Sequence, residues 1–154
     1  MAAPYGAAVI VNDRADLARL SGAAGVHVGQ GDLPPTAVRA VVGENAIVGF
    51  STHHVAQVDA AAREPLTYIA VGPVFGTRTK ETGYEAVGLE FVRTARARAH
   101  ERPVVAIGGI TLGTAPSVIE AGAASVAVIG DLLVGDPRAR VEAYVTRLEG
   151  MSRV

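Results

Sequence analysis

Short apolar runs and longer stretches with helical spacing alternate along the whole chain. The apolar or β-branched runs predict strands at residues 8–11, 25–28, 46–50, 68–71, 103–107 and 125–129. The stretches between them predict helices at residues 16–21, 35–42, 54–63, 89–100, 115–121 and 137–148. On the fourth of these helices, Leu89, Val92 and Ala95 share one face. The regular alternation indicates repeated β/α units.

Strands that are apolar on both faces are typical of a parallel sheet covered by helices. An open doubly wound sheet and a barrel both satisfy this pattern, and the polar residues and glycines gathered just after each strand favour the barrel. A complete barrel needs about eight units and about 250 residues. The sequence therefore predicts an α/β fold of the TIM (β/α)8 type, here an incomplete barrel of about six β/α units. No change in composition marks a boundary, so residues 1–154 are predicted to form one domain.

Composition narrows the class of protein without indicating its chemistry. The chain is 49% hydrophobic, enough to bury a core, and its formal net charge of -1 gives no overall attraction to nucleic acid or an anionic membrane. The absence of cysteine removes disulfides and thiolate chemistry. The first residues lack a leader pattern and no apolar segment approaches membrane-spanning length, so we expect a soluble cytoplasmic protein.

Carboxylates follow the first two predicted strands. Asp13 comes after residues 8–11, and Asp32 comes after residues 25–28. Because the carboxyl ends of parallel strands meet at one rim, both side chains are expected there. Mg²⁺ is commonly held by one or two carboxylates together with substrate phosphates, which makes Asp13 and Asp32 candidate metal ligands. The alternative is that each carboxylate caps the helix that follows it, and spacing alone favours that role.

Hydroxyl and imidazole groups surround the end of the third predicted strand. Ser51 is able to contact a phosphate, although capping the next helix is the more frequent role of a serine in that place. The adjacent His53 and His54 are expected to be polar loop residues rather than zinc ligands. His27, inside the second predicted strand, is expected to be hydrogen-bonded internally or to line a cavity.

Groups suited to gripping an anion follow the later strands. The segment 73–80 contains a turn glycine, two hydroxyls and an ammonium, supplied by Gly76, Thr77, Thr79 and Lys80. Small hydroxyls and backbone N–H groups close around phosphate oxygens, and lysine adds a compact positive charge. Gly109 and Gly130 follow the last two strands, where barrels frequently bind phosphate through loop N–H groups. The alternatives are a solvated Thr/Lys loop and glycines that only permit tight turns.

Taken together, these segments closely resemble thiamine phosphate synthase. The matching segments are residues 11–14, 29–35, 51–53, 73–80, 87–89 and 107–110. Each segment alone is a weak signal, but the order and spacing of the Asn-Asp, Gly-Gln-x-Asp and Thr-x-Thr-Lys elements are specific. The resemblance covers nearly the whole chain, and it implies the fold already predicted from the pattern.

The resemblance also implies a reaction and its residues. Hydroxymethylpyrimidine diphosphate and hydroxyethylthiazole phosphate would be joined to give thiamine phosphate and pyrophosphate, with Mg²⁺ held by Asp13 and Asp32. Lys80 and Ser51 would be the catalytic residues. The residues implied to contact the pyrimidine substrate and its diphosphate are Asn12, Ser51 and Lys80. Those implied to bind the thiazole phosphate are Thr77, Arg78, Thr79, Gly109, Ile129 and Gly130.

Two departures from the family pattern affect these expectations. The family usually has serine at the position of Gly130, so one hydroxyl contact is lost. In addition, residues 1–5 align with the approach to the third family strand, so two β/α units and a Gln-x-Arg-x-Lys segment that clamps the diphosphate are expected to be missing. A truncated gene or a miscalled start codon would explain this, and a homo-oligomer would cover the open sheet edges.

Two other functions are compatible with parts of the pattern. A thiazole tautomerase would use the same pocket without the diphosphate and would rely on an imidazole such as that of His53. A noncatalytic phosphate-binding fragment would keep the phosphate turns and lack the pyrimidine half. The two aspartates and the Thr-x-Thr-Lys element favour the synthase.

Overall fold

The computed structural model describes residues 3–76 and 83–151. Its strands, which match the prediction in number and order, are β1 (Ile10–Asn12), β2 (Gly25–Val28), β3 (Ile47–Thr52), β4 (Tyr68–Val71), β5 (Val104–Ile107) and β6 (Ser125–Ala127). Its α-helices are α1 (Ala15–Ser21), α2 (Pro35–Val42), α3 (Val55–Ala61), α4 (Gly88–Arg98), α5 (Ala115–Glu120) and α6 (Pro137–Leu148). Short 3₁₀ helices lie at Ala3–Tyr5 and at Gly130–Leu133, directly after β6.

The strands form one six-stranded parallel sheet in the order of the chain, from β1 to β6. Each strand pairs with the next one along the chain, so the order never reverses as it does at the switch point of a doubly wound sheet. The predicted TIM-type arrangement of about six β/α units is therefore confirmed. Within the described residues, β1 and β6 each pair with a single strand. All carboxyl ends of the strands lie at the same end of the sheet.

Small β-branched residues fill the core, because a parallel sheet is covered on both faces. Val26, Val48, Ile69 and Val104 of neighbouring strands have no exposed surface. Helices press alanine and valine against them, and on α4 the predicted apolar face is confirmed, since Val92 and Ala95 are fully buried and Leu89 packs beside them. Because large side chains are rare in this core, the helices pack closely against the sheet.

Two helix boundaries follow local sequence signals. The carboxylate of Asp136 caps α6 by accepting a hydrogen bond of 3.1 Å from the backbone N–H of Arg138. Gly22 ends α1 in the left-handed conformation, with φ of 66°. In residues 3–76 and 83–151, no helix has both the length and the apolar character required to cross a bilayer.

One departure from the predicted boundaries, at β3, affects a candidate site residue. The strand continues to Thr52, which makes Ser51 a strand residue, and the N-cap of α3 is His54. Capping by Ser51, the more frequent role for a serine at that place, is therefore the wrong interpretation here. The strand continues because Ser51 and Thr52 pair with Ala70 and Val71 of β4.

Candidate functional site

A cavity of about 880 Å³ opens at the carboxyl ends of the six strands. Every strand end contributes to its lining, which is expected of a barrel-type fold that builds its site from the loops at this face. The candidate site residues that line it are Asn12, Asp13, Asp32, Ser51, Gly109, Ile129 and Gly130. The other predicted site residues, Thr77, Arg78, Thr79 and Lys80, lie outside the described part of the chain.

Asp13 lies in the turn that leaves β1. Its backbone has a φ of 62°, in the left-handed region that aspartate tolerates better than most residues, and its N–H donates to the carbonyl of His27 at 2.7 Å. The N-cap of α1 is Arg14, without a side-chain capping bond. The capping interpretation of Asp13 is therefore wrong. The exposed carboxylate lines the cavity instead.

Asp32 lies in the loop between β2 and α2. One of its carboxylate oxygens accepts the backbone N–H of Gly29 at 2.7 Å, which fixes the side chain over the end of β2. The N-cap of α2 is Pro34, and no side chain caps that helix. Capping by Asp32 is thus also the wrong interpretation. Its carboxylate and that of Asp13 belong to the same cavity.

The carboxylates of Asp13 and Asp32 suit a hard divalent cation only when a substrate adds further ligands. Within residues 3–76 and 83–151, no three histidine or carboxylate side chains come together as a complete metal cage. Mg²⁺ does not require such a cage, because it keeps several waters and is commonly bound by one or two carboxylates plus phosphate oxygens. Two exposed carboxylates on one cavity therefore fit Mg²⁺ bound together with a phosphorylated substrate.

Ser51 is oriented by a chain of hydrogen bonds that runs across three neighbouring strands. Its hydroxyl lies 2.8 Å from Nε2 of His27, and Nδ1 of the same imidazole lies 2.9 Å from the hydroxyl of Tyr68. The rings of His27 and Tyr68 are nearly parallel, with centroids 5.7 Å apart. Burial raises the pKa of Tyr68, so its hydroxyl keeps its proton. The arrangement fixes the direction of the Ser51 hydroxyl.

Gly49 makes room for this chain of hydrogen bonds. A Cβ at Gly49 would lie 2.1 Å from the ring of Tyr68, which pairs with it across β3 and β4. Sequence reasoning expected His27 to be internally hydrogen-bonded or cavity-lining, and both expectations are confirmed. Sequence reasoning missed Tyr68. In the sequence it stands out only as the one aromatic residue of β4, at the start of an otherwise aliphatic strand.

His53 has its ring held from two directions. Its Nδ1 is hydrogen-bonded to the carbonyl of Gly72, and its ring stacks on Tyr84 with centroids 3.7 Å apart. Both rings line the cavity. His53 is therefore a wall residue of the cavity in this structure, beside the loop that follows β4.

Two consecutive glycines form the loop after β5. Gly108 and Gly109 have φ of 99° and 62°, a region that favours glycine. The loop after β4 packs directly against them, since the N–H of Phe75 donates to the carbonyl of Gly108 at 3.0 Å. A Cβ at Gly109 would lie 2.5 Å from the carbonyl oxygen of Gly76. The loops after β4 and β5 are thus in backbone contact at the cavity wall. The alternative interpretation of Gly109, as a glycine that permits a tight turn, also holds.

Beside Gly130, sequence reasoning missed Asp131. Its carboxylate accepts hydrogen bonds from the guanidinium of Arg140 at 2.8 Å and from the hydroxyl of Tyr144 at 2.6 Å, both on α6. It also accepts the backbone N–H of Leu112, in the loop after β5, at 2.9 Å. The bonds from Arg140 hold the pKa of Asp131 below its ordinary value against the opposing effect of burial. The carboxylate is therefore ionised at neutral pH.

With this geometry established, comparison with known proteins identifies the family. The family model described as thiamine monophosphate synthase matches residues 1–132. The chain belongs to that family. The family predicted from the sequence is thereby confirmed.

Several relatives of the thiamine monophosphate synthase family resemble the chain closely. The thiamine-phosphate synthases of Koribacter versatilis and Saccharopolyspora erythraea are 48% and 47% identical to it, over 94% of the chain and 67% and 66% of their own lengths. A solved structure, the thiamine phosphate pyrophosphorylase from Pyrococcus furiosus, superimposes with a TM-score of 0.87 at 29% identity, covering 97% of this chain and 71% of that one. The chain thus spans about two thirds of the length of these relatives.

For this member of the thiamine monophosphate synthase family, we expect Tyr68→Phe to slow turnover by about tenfold and to leave the fold intact. The variant keeps the ring that packs against Gly49 and removes the hydroxyl bound to His27, so the imidazole and the Ser51 hydroxyl lose one of the bonds that orient them. Steady-state kinetics and thermal unfolding measure the two effects. The control is Tyr5→Phe, because the side chain of Tyr5 is 87% exposed. Tyr144→Phe would not serve as a control, because the hydroxyl of Tyr144 binds Asp131. Normal turnover in Tyr68→Phe would contradict the role given to the hydrogen-bond chain.

Proposed function

We propose that the chain condenses hydroxymethylpyrimidine diphosphate with hydroxyethylthiazole phosphate to give thiamine phosphate and pyrophosphate. One observation carries the proposal: predicted site residues from strand ends far apart in sequence line a single cavity, in a chain that belongs to the thiamine monophosphate synthase family. The activity is a property proposed for this chain from relatives that are longer than it.

The proposed diphosphate side of the cavity is the rim formed by β1, β2 and β3. Asp13 and Asp32 would hold Mg²⁺, which when bound supplies positive charge to a leaving diphosphate. Asn12 would donate its amide to the pyrimidine substrate, and Ser51, held by His27, would donate its hydroxyl without paying the full entropic cost of orientation. Lys80 would add a positive charge that stabilises the departing diphosphate more than the intact substrate.

The proposed thiazole phosphate side is formed by the loops after β4, β5 and β6. Backbone N–H groups near Gly109 and Gly130 would bind phosphate oxygens, because glycine leaves the backbone accessible and loops after the last strands of barrels commonly bind phosphate. Thr77, Arg78, Thr79 and Ile129 would complete this half. With a good leaving group on one substrate and a ring nitrogen on the other, few proton-transfer residues are required.

The test supplies the purified chain with both substrates and Mg²⁺ and measures thiamine phosphate by chromatography and pyrophosphate by a coupled assay. We expect both products in equal amounts and neither when the thiazole phosphate is omitted. Binding of thiazole phosphate without product would contradict the synthase and support a noncatalytic phosphate-binding protein. Isomerisation of the thiazole with no consumption of pyrimidine diphosphate would support a tautomerase acting through His53.

A further inference from the structure

Asp131 connects three separate segments at the edge of the cavity. It lies in the 3₁₀ helix after β6, and its carboxylate accepts hydrogen bonds from Leu112 N in the loop after β5 and from Arg140 and Tyr144 of α6. Its side chain is only 11% exposed, compared with 38% for Asp59, the acidic member of the ion pair that joins α3 to α4. Asp131 is the group through which the two loops and the helix are joined.

The two loops that Asp131 joins contain three of the glycines that line the cavity. Gly108 and Gly109 lie in one loop, and Gly130 begins the 3₁₀ helix that contains Asp131. Glycine loops lose more conformational freedom on ordering than loops of other residues, so a ligand that had to order both loops would bind weakly. A partly buried, multiply bonded side chain between them removes that cost before binding.

We infer that Asp131 is a positioning residue that fixes the glycine loops after β5 and β6 relative to each other, so that their backbone N–H groups receive one phosphate group together. The inference rests on the proposed function for the identity of that ligand, the thiazole phosphate. It assigns to Asp131 no contact with the ligand. The residue acts through Leu112 on one loop and through its own backbone on the other.

Charge alone predicts the opposite result, which makes the inference testable. A carboxylate close to a phosphate site repels the ligand, and here Arg140 neutralises it through bonds to both carboxylate oxygens. If Asp131 mattered only through its charge, Asp131→Asn would release the guanidinium of Arg140 and strengthen binding of an anion. If it positions the loops, the same variant weakens binding, because the amide cannot accept all the bonds that the carboxylate accepts.

Two measurements on the whole chain decide between these outcomes. The first is the affinity for thiazole phosphate by calorimetry, with inorganic phosphate as a second probe. The second is hydrogen–deuterium exchange of the segments 108–114 and 129–134, which needs no ligand. Asp59→Asn is the matched control, since Asp59 also receives two bonds from one arginine, Arg98, and does not line the cavity. Tyr144→Phe removes one bond to Asp131 without changing the charge.

We expect Asp131→Asn to weaken thiazole phosphate binding about tenfold and to speed hydrogen–deuterium exchange in both segments. Tyr144→Phe should change the affinity and the exchange in the same directions, but by smaller amounts. Asp59→Asn should change neither. Unchanged exchange in both segments, or tighter binding by Asp131→Asn, would overturn the inference; should that variant fail to fold, unchanged exchange in Tyr144→Phe would overturn it. If the unaltered chain binds neither probe, the proposed function fails, while the exchange data still decide whether Asp131 joins the loops.

Discussion

Replacing Asp13 by asparagine is expected to lower turnover of the two substrates by roughly 10²- to 10³-fold while the unfolding transition stays in place. The carboxylate is exposed and caps no helix, so the fold does not depend on its charge. Asparagine also tolerates the left-handed backbone, here at φ of 62°, as well as aspartate does. The variant therefore removes a negative charge from the proposed metal-binding rim and little else. Steady-state kinetics at saturating Mg²⁺ and thermal unfolding measure the two quantities.

Asp16→Asn provides the control for that prediction. Asp16 is another exposed carboxylate, close to Asp13 in sequence, and its ion pair with Arg14 holds the pKa of Asp16 at about 2. It does not line the cavity. Its loss should leave turnover within about twofold of normal, since exposed ion pairs contribute little. Equal turnover in the Asp13 variant and in this control would contradict the metal-binding role proposed for Asp13.

The sheet could be predicted from the sequence because its strands are short, apolar and separated by amphipathic helices. β2, β4, α2 and α6 begin and end at the predicted residues, where glycine, proline or a capping aspartate stands at a boundary. The predicted boundary was wrong where pairing between strands determines where a strand ends. The end of β3 looks like a polar cap in sequence, but the hydroxyl of Thr52 is buried and donates to the carbonyl of Ala70. A partner 18 residues away leaves no local signal.

The residue types at the rim could also be predicted, because parallel strands bring all their carboxyl ends together. That is why Asp13 and Asp32 line one cavity, as expected from their places after β1 and β2. The hydrogen bonds that orient these groups could not be predicted. His27 and Tyr68 are 41 residues apart in sequence, and their contact depends on the register of three strands and on the missing side chain of Gly49. Register is a property of the assembled sheet.

The second large effect is expected from Gly109→Ala. The added methyl would lie 2.5 Å from the carbonyl oxygen of Gly76 and 2.9 Å from Phe75, and the backbone would remain at a φ of 62°. A left-handed alanine and overlap with packed backbone together lower the free energy of unfolding by about 2 kcal/mol or more. Relief of the overlap separates the loops after β4 and β5. Affinity for thiazole phosphate should therefore fall by at least about tenfold.

Gly113→Ala tests whether that loss belongs to the position of Gly109 rather than to any alanine in the loop. Gly113 lies four residues further along, and a Cβ there would approach only the side chain of Thr111, at 3.9 Å. Because nothing must shift, both the unfolding free energy and the affinity should stay close to those of the unaltered chain. Chemical denaturation and calorimetry measure them in both variants. If Gly109→Ala bound thiazole phosphate as tightly as Gly113→Ala does, the contact between the two loops would not control the phosphate side of the cavity.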